Sequence, residues 1–308
     1  MLPLGNFTNG YAKQKNERQK MKNKKKFLTV LTRCRDEFYV KEWVDYYLSQ
    51  DVDSVYIIDD DSEDKSIYDF ASNKKYENVE IIYEKRNYEK TTTKQQCQVD
   101  KDSPANKIFR SKIRDNYEWL IYCDVDEFMV TKKHFNSTIR ERLQNIPDDV
   151  SAICVPWVFM SGAKLIKNPK SVLKEVVYRH DHDKQHPHPV QKFRCRYHEI
   201  EYKTILKPSR FEYLLDHDPV PWLKPVDGCY LKDERIDGRF IDLRNEDIED
   251  GEFLCYHYRY ISDEHAKNKL KTNGWYINDG YSFEDLKSSS YPEIYDDTLL
   301  RKIENDKS

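Results

Sequence analysis

The sequence Trp-Leu-Ile-Tyr-Cys-Asp-Val-Asp-Glu-Phe-Met, residues 119–129, decides how the rest of the chain is interpreted. Residues 119–123 form a short apolar run typical of a buried strand, and the run ends in Asp124, Asp126 and Glu127. In an open α/β sheet, ligands bind beyond the carboxyl ends of the strands. Carboxylate oxygens there are the ligands that hard divalent cations prefer. The pattern alone also fits an acidic turn, because Asp favours turns and helix caps.

Composition excludes several classes of protein. The net charge of −3 argues against a nucleic-acid binder with a dominating basic field. The sequence has no apolar run of about 18 residues, so we expect no membrane-spanning helix. The seven cysteines include no C-x-x-C pair, which disfavours a disulfide framework or a zinc site and favours a reducing compartment. We therefore expect a soluble cytoplasmic protein with at most peripheral contact at the cytosolic face of a membrane.

Strand and helix patterns alternate in the first part of the chain. Phe27–Thr32, Ser54–Ile58 and Val79–Tyr83 are apolar, strand-like runs. Residues 40–48 carry apolar side chains at helical spacing after the first run, and Asp36 could cap that helix. This β-α-β-α-β order predicts an α/β fold with a parallel sheet and crossover helices.

A second acidic cluster, residues 59–64, follows the second predicted strand. We assign its later members to turn chemistry. Asp59 and Asp60 are better placed to accept hydrogen bonds from a base or a ribose hydroxyl. The chain has neither a G-x-G-x-x-G nor a G-x-x-x-x-G-K-[ST] motif, which disfavours a Rossmann dehydrogenase and a P-loop NTPase. A metal ion is then the natural partner of a diphosphate, and the combination indicates a nucleotide-sugar site.

Histidines mark two segments of the second part. The loop at residues 180–188 is rich in His and Asp, but its alternating spacing and its proline suit a mobile segment better than a closed zinc site. His257 lies inside the apolar run Phe253–Tyr258. A histidine in a strand is more often a satisfied core residue than a metal ligand.

With these motifs in this order, the chain resembles the GT-A fold glycosyltransferases of family 2 and family 92 over residues 27–274. Two departures stand out: Asp36 replaces the usual Asn, and the histidine-rich loop does not align. The resemblance rests on these segments: Arg35-Asp36-Glu37 with Glu42-Trp43 and Tyr46, residues 58–64, residues 119–128, Trp157 with Phe159 and Gly162, Lys203–Pro208 with His217, and His257-Tyr258 with Ser262 and Lys269.

The resemblance implies a GT-A type fold, a mostly parallel twisted sheet flanked by helices with a loop-rich acceptor half. We expect residues 1–26 to be a disordered basic segment and residues 27–275 to be the glycosyltransferase domain. Within it, residues 27–130 would form the donor half and residues 131–275 the acceptor half. Residues 276–308 would be a C-terminal extension.

The resemblance also implies a metal-dependent inverting enzyme with a DxD motif. It would transfer a hexose or pentose from a nucleotide sugar, a UDP-sugar as the resemblance implies, to a glycan or glycolipid hydroxyl, as in polysaccharide biosynthesis. A bound Mn²⁺ or Mg²⁺ would stabilise the departing diphosphate. The implied nucleotide-binding residues are Thr32, Arg35, Asp59, Asp60 and Asp124, and the implied metal ligands are Asp124, Asp126 and His257.

Direct displacement also requires a base that takes the proton of the acceptor hydroxyl. Glu175 is the best match to the carboxylate that family 2-like enzymes use, and Asp181 and Asp216 are the fallbacks. We expect Asp126 to face solvent, so its replacement by Ala should leave folding intact.

Two other functions stay open at this stage. One is a nucleotidyltransferase on a related sheet, although residues 32–35 lack the glycine-rich loop with a lysine that is usual in that class. The other is a non-catalytic carbohydrate-binding protein, which the two intact acidic clusters disfavour.

Overall fold

The computed structural model describes residues 25–84, 102–186, 200–215, 219–221 and 241–305. They form a mixed α/β fold built on a curled sheet of ten strands, with a separate two-stranded hairpin and flanking helices. The predicted α/β class is confirmed. Most of the predicted basic segment, Asp216 and His217 lie outside the described residues.

The first four strands form a parallel sheet. β1 lies between β2 and β4 and is parallel to both, and β3 is parallel to β2. The predicted β-α-β-α-β order is therefore confirmed. The strands are β1 (Lys26–Cys34), β2 (Ser54–Asp59), β3 (Val79–Tyr83) and β4 (Tyr117–Tyr122). The connecting helices are α1 (Val40–Ser49), two 3₁₀ helices (Lys65–Ser72 and Lys74–Tyr76) and α2 (Pro104–Ile108), which continues as a π-helical turn (Phe109–Ile113).

The remaining strands pair mainly antiparallel. β8 lies between β4 and β6 and is antiparallel to both. β11 is parallel to β6 and antiparallel to β5. These strands are β5 (Glu127–Val130), β6 (Ala152–Ser161), β7 (Tyr178–Arg179), β8 (Tyr202–Leu206), β11 (Leu254–Tyr260) and β12 (Ile294–Tyr295), and the hairpin is β9 (Phe211–Leu214) with β10 (Pro219–Pro221).

Short helices cover this second part of the sheet. The predicted C-terminal extension also contributes β12, which pairs with β7 at the edge of the main sheet. The helices are α3 (Ile139–Leu143), α4 (Val172–Glu175), a 3₁₀ turn (Pro208–Arg210), α5 (Asn245–Glu249), α6 (Asp263–Thr272), α7 (Gly274–Asp279), α8 (Phe283–Ser288) and α9 (Thr298–Asn305). No helix in the described ranges is both long and apolar enough to cross a membrane.

Helix α1 anchors β5, the strand that follows the loop between β4 and β5; this loop carries Asp124 and Asp126 and is called the acidic loop below. Its buried aromatic side chains pack against the sheet and also bond to the backbone of β5. Trp43 Nε1 donates a hydrogen bond to the carbonyl of Glu127 over 3.0 Å, and Tyr46 Oη donates to that of Met129 over 2.6 Å. Tyr47 Oη adds a second bond to the Glu127 carbonyl. These buried bonds fix the strand that begins one residue after Asp126.

The loop between β1 and α1 is tied to the loop after β2. Asp36 adopts a left-handed conformation with φ of 54°, which Asp and Asn tolerate better than most residues. Its Oδ1 accepts the N–H groups of Glu63 and Asp64 over 2.7 and 3.1 Å. Tyr39, and not Asp36, occupies the N-cap position of α1, without a side-chain cap. The prediction that Asp36 caps the helix is therefore wrong, because its carboxylate joins the two loops instead.

Candidate active site

The two acidic clusters lie on either side of β1, at the carboxyl edge of the parallel sheet. In the register of the strands, Cys34 of β1 lies beside Asp59 of β2. The backbone N–H of Asp60 then donates to the carbonyl of Cys34 over 2.9 Å. On the other side, the N–H of Cys123 bonds to the carbonyl of Leu31. Both clusters therefore follow strands that end at the same edge, as the strand pattern predicts.

Asp124 and Asp126, the two aspartates that follow β4, form the acidic pair of the site. Asp124 is the more exposed of the two. Its side chain is 43% exposed. Lys203 Nζ, on β8, lies 2.8 Å from Oδ2, and Arg33 Nη2, on β1, lies 3.7 Å from Oδ1. Desolvation raises the pKa of Asp124, but the charges of Lys203 and Arg33 outweigh it and lower this pKa below its usual range. Asp124 is therefore a carboxylate between two cations from different strands.

Asp126 is buried, with a side chain only 9% exposed. Lys269 Nζ, on α6, lies 2.5 Å from Oδ2, and His257 Nε2, on β11, lies 3.7 Å from Oδ1. Burial raises the pKa of Asp126, but Lys269 and His257 hold it well below its usual range. The expectation of a solvent-facing Asp126 is wrong, because β11 and α6 close over the loop.

Glu127, the first residue of β5, supports the acidic loop through its side chain. It is fully buried, and Oε2 accepts the N–H of Asp124 over 2.8 Å. Lys203 Nζ lies 3.6 Å from the same oxygen, whereas Oε1 has no hydrogen-bond partner among the described residues. Burial raises the pKa of Glu127 well above its usual range. This carboxyl group therefore binds its proton more tightly than the two aspartates do, and it orders the loop through the Asp124 backbone.

His257 faces the acidic pair from β11. Its ring lies 4.3 Å from that of Trp157 and 6.3 Å from that of Phe159, centroid to centroid. Burial lowers the pKa of His257, so the neutral imidazole, which is the metal-binding form, prevails at neutral pH. Its Nδ1 is buried without a hydrogen-bond partner in the part of the chain that the structure describes. The side chain is thus placed beside Asp126 but makes no short hydrogen bond there.

The histidine-rich loop is held by protein contacts in its described part, residues 180–186. His180 and His182 lie against the ring of Phe159, with centroid distances of 5.4 and 5.9 Å. His186 Nε2 lies 2.7 Å from a carboxylate oxygen of Glu293. Across the described ranges, no three His, Cys, Asp or Glu side chains are grouped to hold a metal ion by themselves.

The predicted nucleotide-binding residues lie near the ends of β1 and β2. Thr32 is buried, and its hydroxyl donates to the carbonyl of Arg33 over 3.2 Å. Arg35 Nε lies 3.9 Å from Asp36 Oδ2, and no hydrogen-bond partner for it lies within the described ranges. Asp60 is buried at the end of β2. The structure brings these residues to the same sheet edge as the acidic pair.

The carboxylate of Asp59 forms its contacts within the loop that follows β2. It accepts hydrogen bonds from Tyr68 Oη over 2.8 Å and from the N–H of Ser62 over 3.3 Å, and it pairs with Lys65. Burial raises the pKa of Asp59, but these partners together lower it. Asp59 therefore orders the loop that carries Asp60.

The two base candidates within the described residues, Glu175 and Asp181, form their hydrogen bonds elsewhere. Glu175 is exposed on α4, where Oε1 accepts the N–H groups of Lys170 and Ser171 over 2.7 and 3.1 Å. Asp181 Oδ1 accepts a hydrogen bond from Asn245 Nδ2 over 2.6 Å. None of their hydrogen bonds within the described residues reaches the acidic pair.

Sequence reasoning missed the cations that surround the acidic pair. Lys203 and Lys269 occur in the motifs that carry the family resemblance, but nothing in their spacing links them to the acids. Lys203 is 79 residues from Asp124, and Lys269 is 143 residues from Asp126. Only the pairing of β8 with β4 and the position of α6 bring these charges together.

Comparison with known families identifies the class of protein. The model of Glycosyltransferase family 92 matches residues 108–298, well over half of the chain. The chain belongs to glycosyltransferase family 92. It is therefore a glycosyltransferase, as the resemblance implied, and the family implies a sugar donor and a glycan acceptor. The matched segment contains the acidic loop and both of its lysines.

Other comparisons add little to this membership. Among solved structures, the chain is similar to a putative glucose-1-phosphate thymidylyltransferase from Bacillus anthracis in complex with a sucrose, with 7% identity and a TM-score of 0.24. The likeness covers 49% of this chain and 63% of that chain, and at this score it supports no argument. No curated protein matches the chain.

The residues of this family 92 site fit a divalent cation only as an open site. Asp126 Oδ1 and His257 Nε2 lie 3.7 Å apart, beyond ordinary hydrogen-bond distance, so one cation between them could contact both. Oδ2 of each aspartate is held by a lysine. Mg²⁺ is usually bound by one or two carboxylates together with waters and substrate phosphates. The site matches that class, in which the substrate supplies the missing ligands.

Proposed function

We propose that this family 92 protein is a metal-dependent inverting glycosyltransferase of the GT-A type. It would use a UDP-sugar and transfer the sugar to a hydroxyl group of a glycan or glycolipid. One observation supports this best: the buried carboxylate of Asp126 and the imidazole of His257 face each other at the carboxyl edge of a parallel sheet. Ligand sites in open α/β sheets occur at that edge.

The charges around the acidic pair suit a nucleoside diphosphate. Arg33, Lys203 and Lys269 lie within salt-bridge distance of the two aspartates. Fixed cations of this kind stabilise the negative charge that develops on a departing diphosphate. When bound, Mn²⁺ or Mg²⁺ would add Lewis-acid stabilisation of the same charge, held by Asp124, Asp126 and His257.

The nucleoside would lie beside β1 and β2. Asp60 follows β2 directly, and the loop around it is fixed by Asp59 and by Asp36. Thr32 and Arg35 belong to the neighbouring β1 and its loop. We propose that these residues bind the base and ribose, with Asp59 acting mainly through the conformation of its loop.

The acceptor would approach from the second half of the chain. We propose Glu175 as the base that removes the hydroxyl proton, with Asp181 as the alternative. Glu175 accepts two backbone N–H groups, so the acceptor hydroxyl would have to compete with them. Variants of the two residues distinguish the candidates.

The decisive experiment measures which product is released. Purified protein is incubated with a panel of nucleotide sugars, with Mn²⁺ or with EDTA, and the released nucleoside diphosphate is quantified. We expect UDP release from one UDP-sugar with Mn²⁺, its loss with EDTA, and its loss in Asp126→Asn. Asp250→Asn is the matched control, because Asp250 is exposed and pairs with Lys133.

Three results would contradict the proposal. UDP release that is unchanged by EDTA would show that the reaction does not depend on a metal ion. Pyrophosphate release from a nucleoside triphosphate would favour the nucleotidyltransferase alternative. A thermal shift with UDP that is unaffected by Mn²⁺, together with no transfer, would favour a carbohydrate-binding protein. The anomeric configuration of the product, measured by NMR, tests inversion separately.

A further inference from the structure

Lys269 reaches Asp126 from a helix that is fixed at its N-terminus. Ser262 caps α6, because its Oγ accepts the N–H of His265 over 3.0 Å. One turn before Lys269, His265 Nε2 lies 2.7 Å from Glu37 Oε2, in the loop after β1. Both partners of this second contact are also buried. The ammonium group of Lys269 is therefore aimed at the acidic loop by a helix with two anchors.

The pair of Lys269 and Asp126 lies directly beside the place where a cation would bind. Both side chains are at most 10% exposed, and Nζ lies 2.5 Å from Oδ2. The other oxygen of Asp126 faces His257. A divalent cation between Asp126 and His257 would thus lie close to a buried ammonium group, and like charges repel strongly where water is excluded.

The ion pairs of the acidic loop leave no excess negative charge to attract a divalent cation. Within the described residues, the carboxyl groups of Asp124, Asp126 and Glu127 lie beside three cationic side chains, those of Arg33, Lys203 and Lys269. Even with all three carboxyl groups ionised, the charges of this cluster balance. A nucleoside diphosphate would make the balance negative, because it brings at least two negative charges on oxygen atoms that bind both metals and ammonium groups.

We propose that Lys269 is the counter-ion of Asp126 in the donor-free enzyme and exchanges Asp126 for the donor diphosphate when donor and metal bind. Lys269 thereby makes the two ligands interdependent: the cation binds weakly without the nucleotide, and the nucleotide binds weakly without the cation. This inference rests on the proposed function. Lys269 is a positioning and donor-binding residue in this scheme, and no proton needs to be transferred.

The test uses Mn²⁺ and UDP as probes and measures binding rather than turnover. Mn²⁺ binding to the full chain is followed by the electron paramagnetic resonance signal of free Mn²⁺, with and without UDP, and UDP binding by calorimetry with and without Mn²⁺. In the wild-type protein each ligand should tighten the other by about 5- to 150-fold, the usual range of coupling between linked sites, and by the same factor in both directions.

Lys269→Met removes the charge and keeps most of the side-chain volume. We expect this variant to bind Mn²⁺ roughly tenfold more tightly in the absence of UDP, since the competing ammonium is gone, and to bind UDP roughly tenfold more weakly. The coupling between the ligands should fall accordingly. Lys271→Met is the matched control, because Lys271 is exposed on the same helix, and it should behave as the wild type.

Lys269→Arg keeps the inference testable if the Lys269→Met variant does not fold. A guanidinium group can hold a carboxylate through two parallel hydrogen bonds, so donor-free Mn²⁺ binding should be no tighter than in the wild type. Tighter Mn²⁺ binding in this variant, or unchanged Mn²⁺ and UDP affinities in Lys269→Met, would overturn the inference alone. A wild-type protein that binds neither probe in any combination would overturn the proposed function as well.

Discussion

Asp126 and Lys269 form a buried ion pair, and its energetics differ from those of a surface pair. Exposed pairs contribute about 0–1 kcal/mol to stability, and a buried pair gains little over a well-packed apolar pair. Removing one partner of a buried pair is expensive, because the other charge is left without compensation. The acidic loop therefore contributes to stability as well as to the chemistry of the site.

Asp126→Ala should consequently destabilise the protein, which reverses the expectation from the sequence. We expect a loss of about 3–5 kcal/mol in the free energy of unfolding, measured by urea denaturation without metal. The double variant Asp126→Ala/Lys269→Met should recover part of this loss, because it removes both charges. A single variant as stable as the wild type would show that the pair is more hydrated than its burial implies.

Asp36 combines a left-handed backbone with two accepted hydrogen bonds. Asp36→Asn should change stability by no more than about 0.5 kcal/mol, since Asn keeps an acceptor oxygen and also tolerates positive φ. Asp36→Ala should cost about 2–3 kcal/mol from the strained backbone and the lost bonds. Asp51→Ala is the control: Asp51 is exposed and has a φ of 59°, so its replacement should show only the cost of the backbone conformation. Equal losses at both positions would mean that the two bonds of Asp36 contribute nothing.

The base candidates are separated by amide substitutions. If Glu175 is the base, Glu175→Gln should lower the transfer rate by roughly 10² or more while UDP and Mn²⁺ binding persist. Gln retains an oxygen for the N–H groups of Lys170 and Ser171, so the start of α4 should be preserved. Asp181→Asn is the parallel variant. A normal rate in Glu175→Gln together with a large fall in Asp181→Asn would reassign the role.

At the scale of elements, local sequence patterns predict individual strands and helices well, although not the start of α1, which Asp36 does not cap. The predicted strand Val79–Tyr83 matches β3 residue for residue, and the predicted helix at residues 40–48 matches α1, Val40–Ser49. The spacing of apolar residues is a local property, so sequence reveals it. The insertion of β8 between β4 and β6 depends on pairing between distant segments, which no local pattern records. The positions of Lys203 and Lys269 follow from such pairing, and sequence alone could not give them.

The cap of α6 links an element to the site, and two matched caps test this link. Ser262→Ala and Thr138→Ala each remove a hydroxyl that accepts a backbone N–H at a helix start, that of α6 and that of α3. Each should cost about 0.5–2 kcal/mol of stability. Only Ser262→Ala loosens the helix that carries Lys269, so only this variant should weaken binding of UDP with Mn²⁺. Equal effects of both variants on binding would show that α6 needs no cap to position Lys269.

At the scale of the whole molecule, one sheet brings two differently built halves together. The parallel strands present their carboxyl ends at one edge, whereas β8, β11 and the helix after β11 supply a lysine, a histidine and a second lysine to the same edge. The order of the strands in the sequence predicted that the carboxyl ends of the parallel strands meet at one edge. The role of His257 was predicted from the family resemblance. The second half could not be placed in advance because its strands pair mainly antiparallel across long sequence separations.

The buried histidines behind this edge should make the stability of the molecule depend on pH. His182 is fully buried, with Nδ1 3.3 Å from the carbonyl of Leu243 and Nε2 3.4 Å from the N–H of Phe159. This arrangement requires the neutral ring, with a proton on Nδ1 only. Burial, followed by the charge of Arg179, lowers the pKa of His182 to about 3.

Because the unfolded histidine has a pKa of about 6.5, the stabilisation from His182 should be complete above pH ~6.5 and decrease as the pH falls toward 3. The free energy of unfolding should drop by up to about 1.4 kcal/mol per pH unit for this one proton. Urea denaturation between pH 7 and pH ~5.5 measures the slope above the range in which ordinary carboxylates titrate. His180 and His257 also have lowered pKa values, so the contribution of His182 is the difference between the wild type and His182→Gln, whose amide can donate and accept without titrating. The variant should show the shallower slope; parallel curves would mean that His182 already binds its second proton equally in both states.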